Sequence, residues 1–87
     1  MPSSSELSLY QTAFCPYCEG VRAALRHLEV ELELRDVDES SERLGELVEA
    51  TGRSTVPCLR IENADGSVRW MHESADIIEY LEDRFGK

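Results

Sequence analysis

The sequence predicts a mixed α/β domain in the order βαβαββα, with a four-stranded mixed sheet flanked by helices. Three observations carry that reading. Leu7–Tyr10 alternates, a helical run follows Pro16, and Val30–Arg35 alternates again, which is the pattern of a βαβ unit. Such a unit closes with a right-handed crossover and a parallel strand pair. Farther on, two strand-like runs flank Asn63-Ala64-Asp65-Gly66, a turn signal that makes them an antiparallel hairpin. Finally, 87 residues is the size of one domain. Residues 1–6 read as an N-terminal tail and residues 7–87 as that domain.

Each element has its own signal. Leu7-Ser8-Leu9-Tyr10 is the first strand. In the first helix Val21, Ala24, Leu25 and Leu28 are spaced by three and four, which puts them on one inward face. Pro16 suits the first helical position, where its missing N–H costs nothing. Val30-Glu31-Leu32-Glu33-Leu34-Arg35 alternates apolar with charged residues, so this strand has one wet face and is expected at an edge. Ser40 and Ser41 offer N-caps for a second helix with Leu44, Leu47 and Val48 inward, and Gly52 ends it. Val56-Pro57-Cys58-Leu59-Arg60-Ile61 is the third strand and Ser67–Met71 the fourth. Ser74 is expected to cap the last helix, whose inward face is Ile77, Ile78, Leu81 and Phe85.

Charge and composition exclude several function classes. The net charge of −9 disfavours nucleic acid, whose recognition needs a basic surface, and anionic membranes. No stretch approaches the roughly 20 apolar residues of a membrane helix. The first residues carry no basic segment followed by an apolar one, so no signal peptide is expected. Three cysteines, an odd number, do not suit a secreted disulfide scaffold, and a reducing cytoplasmic compartment is expected.

Chemistry concentrates at Cys15-Pro16-Tyr17-Cys18, where a strand-like run gives way to a helix. Two cysteines at this spacing can alternate between dithiol and disulfide. A helix start presents unpaired N–H groups and the positive end of the macrodipole, and both stabilise a thiolate on Cys15. An ordinary thiol titrates near pH 8.5, whereas cysteines at such helix starts fall to about 3.5–7.5. The amides of Tyr17 and Cys18 are the expected donors, with Glu19 slightly opposed. A zinc site would need four ligands from Cys15, Cys18, Cys58 and a histidine. Cys58 has no C-x-x-C partner, and His27 and His72 lie at no ligand-like spacing, so no metal is expected. Cys58, beside Leu59 and Ile61, reads as a small buried hydrophobe, and Trp70 as a hairpin packing residue.

Three segments resemble a glutaredoxin: Cys15-Pro16-Tyr17-Cys18, Gly52-Arg53-Ser54-Thr55-Val56-Pro57 and Glu73-Ser74-Ala75-Asp76-Ile77. The resemblance implies a thioredoxin-like fold, with the second strand at one edge, followed by the first, third and fourth. It implies glutathione as reductant, Cys15 as nucleophile, Cys18 as resolving thiol and Pro57 as a cis proline facing the disulfide. It also implies a glutathione groove. Tyr17 would border it, and Arg53 would meet the glycine carboxylate. The extended backbone at Val56-Pro57 would pair with the cysteine part. Glu73 and Ser74, with Asp76, would hold the γ-glutamyl end, although Ser74 and Asp76 also suit ordinary helix capping.

Two positions depart from the glutaredoxin pattern. The lysine that many glutaredoxins carry three residues before the first cysteine is Thr12 here, after Gln11. The glycine pair that many carry before the last helix is His72-Glu73. Glu73-Ser74 instead resembles the N-terminal domain of glutathione transferases. The implied function is glutathione-dependent thiol–disulfide oxidoreduction through a redox-active disulfide, on protein disulfides and glutathione mixed disulfides, by a monomer. A glutathione transferase-like N-terminal domain and an iron–sulfur cluster-binding redoxin are the alternatives.

Overall fold

Backbone pairing builds the predicted order of elements in a computed structural model, which describes residues 3–86. The elements are β1 (Ser3–Gln11), α1 (Pro16–Leu28), β2 (Glu31–Asp36), α2 (Ser41–Thr51), β3 (Cys58–Glu62), β4 (Val68–Met71) and α3 (Ser74–Phe85). The four strands lie in the order β2-β1-β3-β4. β1 and β2 are parallel, while β1 with β3 and β3 with β4 are antiparallel. The sheet is therefore mixed and thioredoxin-like, and the alternating β2 is an edge strand as its charged face requires.

The tail expected over residues 1–6 is shorter among the described residues, because β1 already runs from Ser3. Ser3 pairs with Glu31, and the register shifts before regular pairing resumes at Ser8. Strand pairing uses backbone groups and needs no apolar side chains, so Ser3–Glu6 carries no alternation to announce it. Met1, Pro2 and Lys87 lie outside the described residues.

Alternation along β1 divides the core in two. Leu7 and Leu9 face α1 and α3, where they join Val21, Leu25, Val30, Leu59, Ile61, Ile77 and Leu81. Tyr10 faces α2 on the other side, with Val37, Leu47 and Cys58, and with Trp70 packed against them. The Trp70 and Tyr10 ring centroids are 5.3 Å apart. The phenol tip of Tyr10 is paired despite burial: it donates to Glu46 Oε1 at 3.1 Å and accepts from Arg35 Nη1 at 2.6 Å.

Helix ends follow local chemistry, and the placements of Val48 and Ser74 differ from expectation. At α2 the Ser40 hydroxyl accepts the Arg43 N–H at 3.3 Å, so Ser40 rather than Ser41 is the N-cap. Gly52 ends that helix at φ 73°, a left-handed conformation that suits glycine. Val48 of α2 is 42% exposed, whereas Leu47 is buried; of the adjacent pair only Leu47 points at the sheet. Ser74 is the first residue of α3, and Glu73 takes the N-cap position without a side-chain cap bond. No glycine or asparagine marks the end of α1. Glu29 adopts the left-handed conformation there, at φ 57°. Val30 N–H then bonds Leu25 C=O at 3.0 Å and Glu29 N–H bonds Arg26 C=O at 3.2 Å, a Schellman ending sealed by buried Val30 against Leu25. Ser40→Ala is expected to lower stability by about 1 kcal/mol, read from the urea midpoint. No change would mean that the hydroxyl–amide bond does not cap α2.

Candidate active site

Strand polarity brings the predicted site residues to one end of the sheet. β1 ends at Gln11 beside the start of β3, since Tyr10 pairs with Cys58. β4 ends beside the same point, since Met71 pairs with Leu59. The loop to Cys15, the Val56-Pro57 segment and the start of α3 at Glu73-Ser74 all leave the sheet there. The Val56-Pro57 peptide is cis, as the glutaredoxin resemblance implied. These two residues precede β3 rather than forming part of it, because β3 begins at Cys58.

Cys15 is the N-cap of α1, in extended conformation at φ −96° and ψ 121°, with Pro16 next in the helix. Its carbonyl accepts the Glu19 N–H at 2.9 Å and starts the helical ladder. Its side chain makes no cap bond and is left for chemistry. The partial burial of the Cys15 thiol opposes ionisation. The Cys18 N–H, the Cys18 thiol, the Tyr17 N–H and the charge of Arg22 outweigh that burial and bring it below the ordinary thiol range. Cys18 is buried, and its thiol is pushed the other way by burial, by donating to Cys15 and by the Cys15 charge. A donor from the Thr12 backbone and the Arg22 charge offset part of that rise. The pair therefore divides its roles by environment, with an accessible acidic thiol in front and a proton-holding thiol behind.

The remaining predicted residues vary in their setting. Tyr17 is 68% exposed and Phe14 is 94% exposed, so the aromatic residues on either side of the Cys15-Pro16 step face water. Arg53 is exposed, and the Thr51 hydroxyl braces its backbone through bonds of 3.2 Å to its N–H and C=O. Val56 is half-buried and Pro57 buried. Glu73 is exposed and Ser74 half-buried. Cys58 is fully buried with its thiol pushed up to about 11 by burial, as expected of a packing residue. His72 Nε2 lies 3.9 Å from its sulfur.

Arg22 is the site residue that sequence reasoning missed. Its guanidinium reaches the Gln11 side chain, Thr12 C=O at 3.0 Å, Ala13 C=O at 3.3 Å and Glu19 Oε2 at 2.9 Å. Glu19, expected to oppose the thiolate, is instead neutralised by Arg22 and by Arg26 at 2.9 Å. The available signal was spacing: residues 18, 19 and 22 share one helix face.

A family model described as glutathione S-transferase, N-terminal domain, matches residues 14–84. The chain belongs to that family. Among solved structures it is similar to a trimeric glutathione transferase of Leishmania, with 34% identity and a TM-score of 0.74, covering 91% of this chain and 18% of that one. It is also similar to a maleylacetoacetate isomerase from Anaeromyxobacter dehalogenans, solved with bound dicarboxyethyl glutathione. That match has 28% identity and a TM-score of 0.71, covering 100% of this chain and 40% of that one. A curated relative, Glutaredoxin-1 of Rhizophagus irregularis, is 34% identical over 62 residues, which is 68% of this chain and 61% of the relative. The chain thus spans well under half of both structures and about three fifths of the curated relative. As a glutathione S-transferase N-terminal domain it has the thioredoxin-like fold, with the Cys15–Cys18 pair at its first helix.

Proposed function

We propose that this chain is a glutathione-dependent thiol–disulfide oxidoreductase that reduces glutathione mixed disulfides and protein disulfides. The observation that carries the reading is Cys15 as the N-cap of α1 with no side-chain cap bond, next to Pro16 and ahead of buried Cys18 in the first turn, and its thiol lies below the ordinary range. Cys15 thiolate attacks the glutathione sulfur of a mixed disulfide. The substrate sulfur leaves as a thiolate and takes up a proton. A second glutathione thiolate then attacks the Cys15–glutathione disulfide, forming glutathione disulfide and restoring the Cys15 thiolate. With a protein disulfide, Cys15 first bonds one substrate sulfur and the other leaves. Cys15 is then neutral, so the share of the rise at Cys18 that came from Cys15 disappears, while burial remains. The Cys18 thiol can pass its proton to the departing thiolate and attack Cys15, closing the disulfide. Two glutathione molecules reopen it.

Tyr17, Arg53, the Val56-Pro57 backbone, Glu73 and Ser74 make the proposed glutathione groove, with the Cys15 sulfur at its centre. The helix start at Ser74 suits the γ-glutamyl carboxylate. A cytoplasmic setting, where glutathione is kept reduced, suits this cycle. The test is glutathione-coupled reduction of hydroxyethyl disulfide by the full chain and by Cys18→Ser. The variant is expected to keep turnover of the glutathione mixed disulfide within a few-fold and to lose reduction of a protein disulfide. Loss of both would reverse the two roles.

A second reading is supported by the family match over residues 14–84: glutathione transfer to an electrophile. A chlorinated aromatic acceptor assay separates the two. Conjugation without disulfide reduction would favour transfer and set aside the oxidoreductase.

A further inference from the structure

We propose that Arg22 is a positioning residue for Cys15: its guanidinium clamps the loop that delivers the nucleophile and supplies the cation that the loop itself lacks. The inference rests on the reading of Cys15 as nucleophile. One side chain holds the consecutive residues Gln11, Thr12 and Ala13, through the Gln11 side chain and two backbone carbonyls at 3.0 and 3.3 Å. These residues join the end of β1 to Phe14 and Cys15. The planar guanidinium fork, with five donors, can span adjacent carbonyls, which a single ammonium cannot.

The clamp reaches the thiols through Thr12. The Thr12 carbonyl accepts from Arg22, while its backbone also serves Cys18 as a donor. Displacing this loop therefore breaks the Arg22 clamp and the support of the resolving thiol together. Arg22 sits one helical turn beyond Cys18 on the same face of α1, which aims it back at the loop. Its side chain is only 16% exposed, so its charge is less screened than that of a surface arginine. Glu19 bridges Arg22 to Arg26 and anchors the far edge of the fork. Thr12 stands where many glutaredoxins carry a lysine, and here the cation comes from the helix instead.

The test is iodoacetamide alkylation of Cys15 against pH in the full chain, with amide exchange of Ala13 and Phe14 alongside. Arg22→Gln is expected to raise the Cys15 midpoint by about one pH unit, which is about tenfold less thiolate well below the midpoint. Arg22→Lys is expected to recover most of that shift but to exchange the two loop amides several-fold faster than wild type. A folded Arg22→Gln with the wild-type midpoint overturns the proposal. If Arg22→Gln is unfolded by circular dichroism, Arg22→Lys decides: wild-type exchange in the loop overturns the clamp, and faster exchange upholds it. A wild-type Cys15 that titrates like an ordinary thiol removes the nucleophile reading itself, a separate and recognisable failure.

Discussion

Cys15→Ser is expected to abolish reduction of glutathione mixed disulfides, by more than about a thousandfold, with the fold retained. A hydroxyl at the same helix start cannot become an anion near neutrality, and it cannot form the sulfur–sulfur intermediate. Cys15 is only half-buried, so the substitution leaves the core untouched. The pH profile of the wild type adds a second check. Activity should rise with pH as Cys15 loses its proton and level off below the ordinary thiol value of about 8.5. Stability carries the same sign. A thiol with a depressed folded pKa adds stability that is present above the unfolded pKa and lost as pH falls through the folded one. Cys58 acts oppositely. Its thiol is held up to about 11, so stability falls as pH rises from the ordinary thiol value toward that point, where the unfolded chain has already released the proton. Residual glutathione turnover in Cys15→Ser would move the nucleophile elsewhere.

Leu9→Ala is expected to destabilise the protein by about 2–5 kcal/mol, which for a domain of this size lowers Tm by at least about 10 °C. Leu9 is fully buried in the middle of β1, directly opposite Leu59 and beside Leu34 of the parallel partner. It fills the space between the sheet and the helices α1 and α3. Val48→Ala is the control: at 42% exposure it should change stability by no more than about 0.5 kcal/mol. Equal losses from the two substitutions, followed by thermal circular dichroism, would contradict this assignment of the core.

Much of the architecture was legible because period and punctuation agreed along the chain. The alternation in Val30–Arg35 foretold an edge strand, found at Glu31–Asp36, and Asn63–Gly66 foretold the hairpin, where Gly66 N–H closes the turn on Asn63 C=O at 3.0 Å. The misses have physical causes. Ser3 pairs with Glu31 through the backbone, which no side-chain pattern records. The turn at Glu29 uses a residue with no preference for the left-handed region, held there because burying Val30 against Leu25 outweighs its strain. Val48 fitted the helical period as well as Leu47 did, and only the angle at which α2 meets the sheet separates them.

The candidate site divides in the same way. The sequence alone determined that two cysteines stand at a helix start behind a strand, because spacing, Pro16 and the flanking periodicities are local properties. It also determined that the chain would form a βαβ unit followed by a hairpin. Tertiary structure alone decided that Pro57 and Glu73 share the sheet end with Cys15, since that follows from antiparallel pairing across residues far apart in the chain. It alone decided that Arg22 turns back onto Gln11–Ala13. The reason is one of range: propensity and periodicity act over a few residues, whereas an ion pair or a clamp depends on where the fold returns the chain.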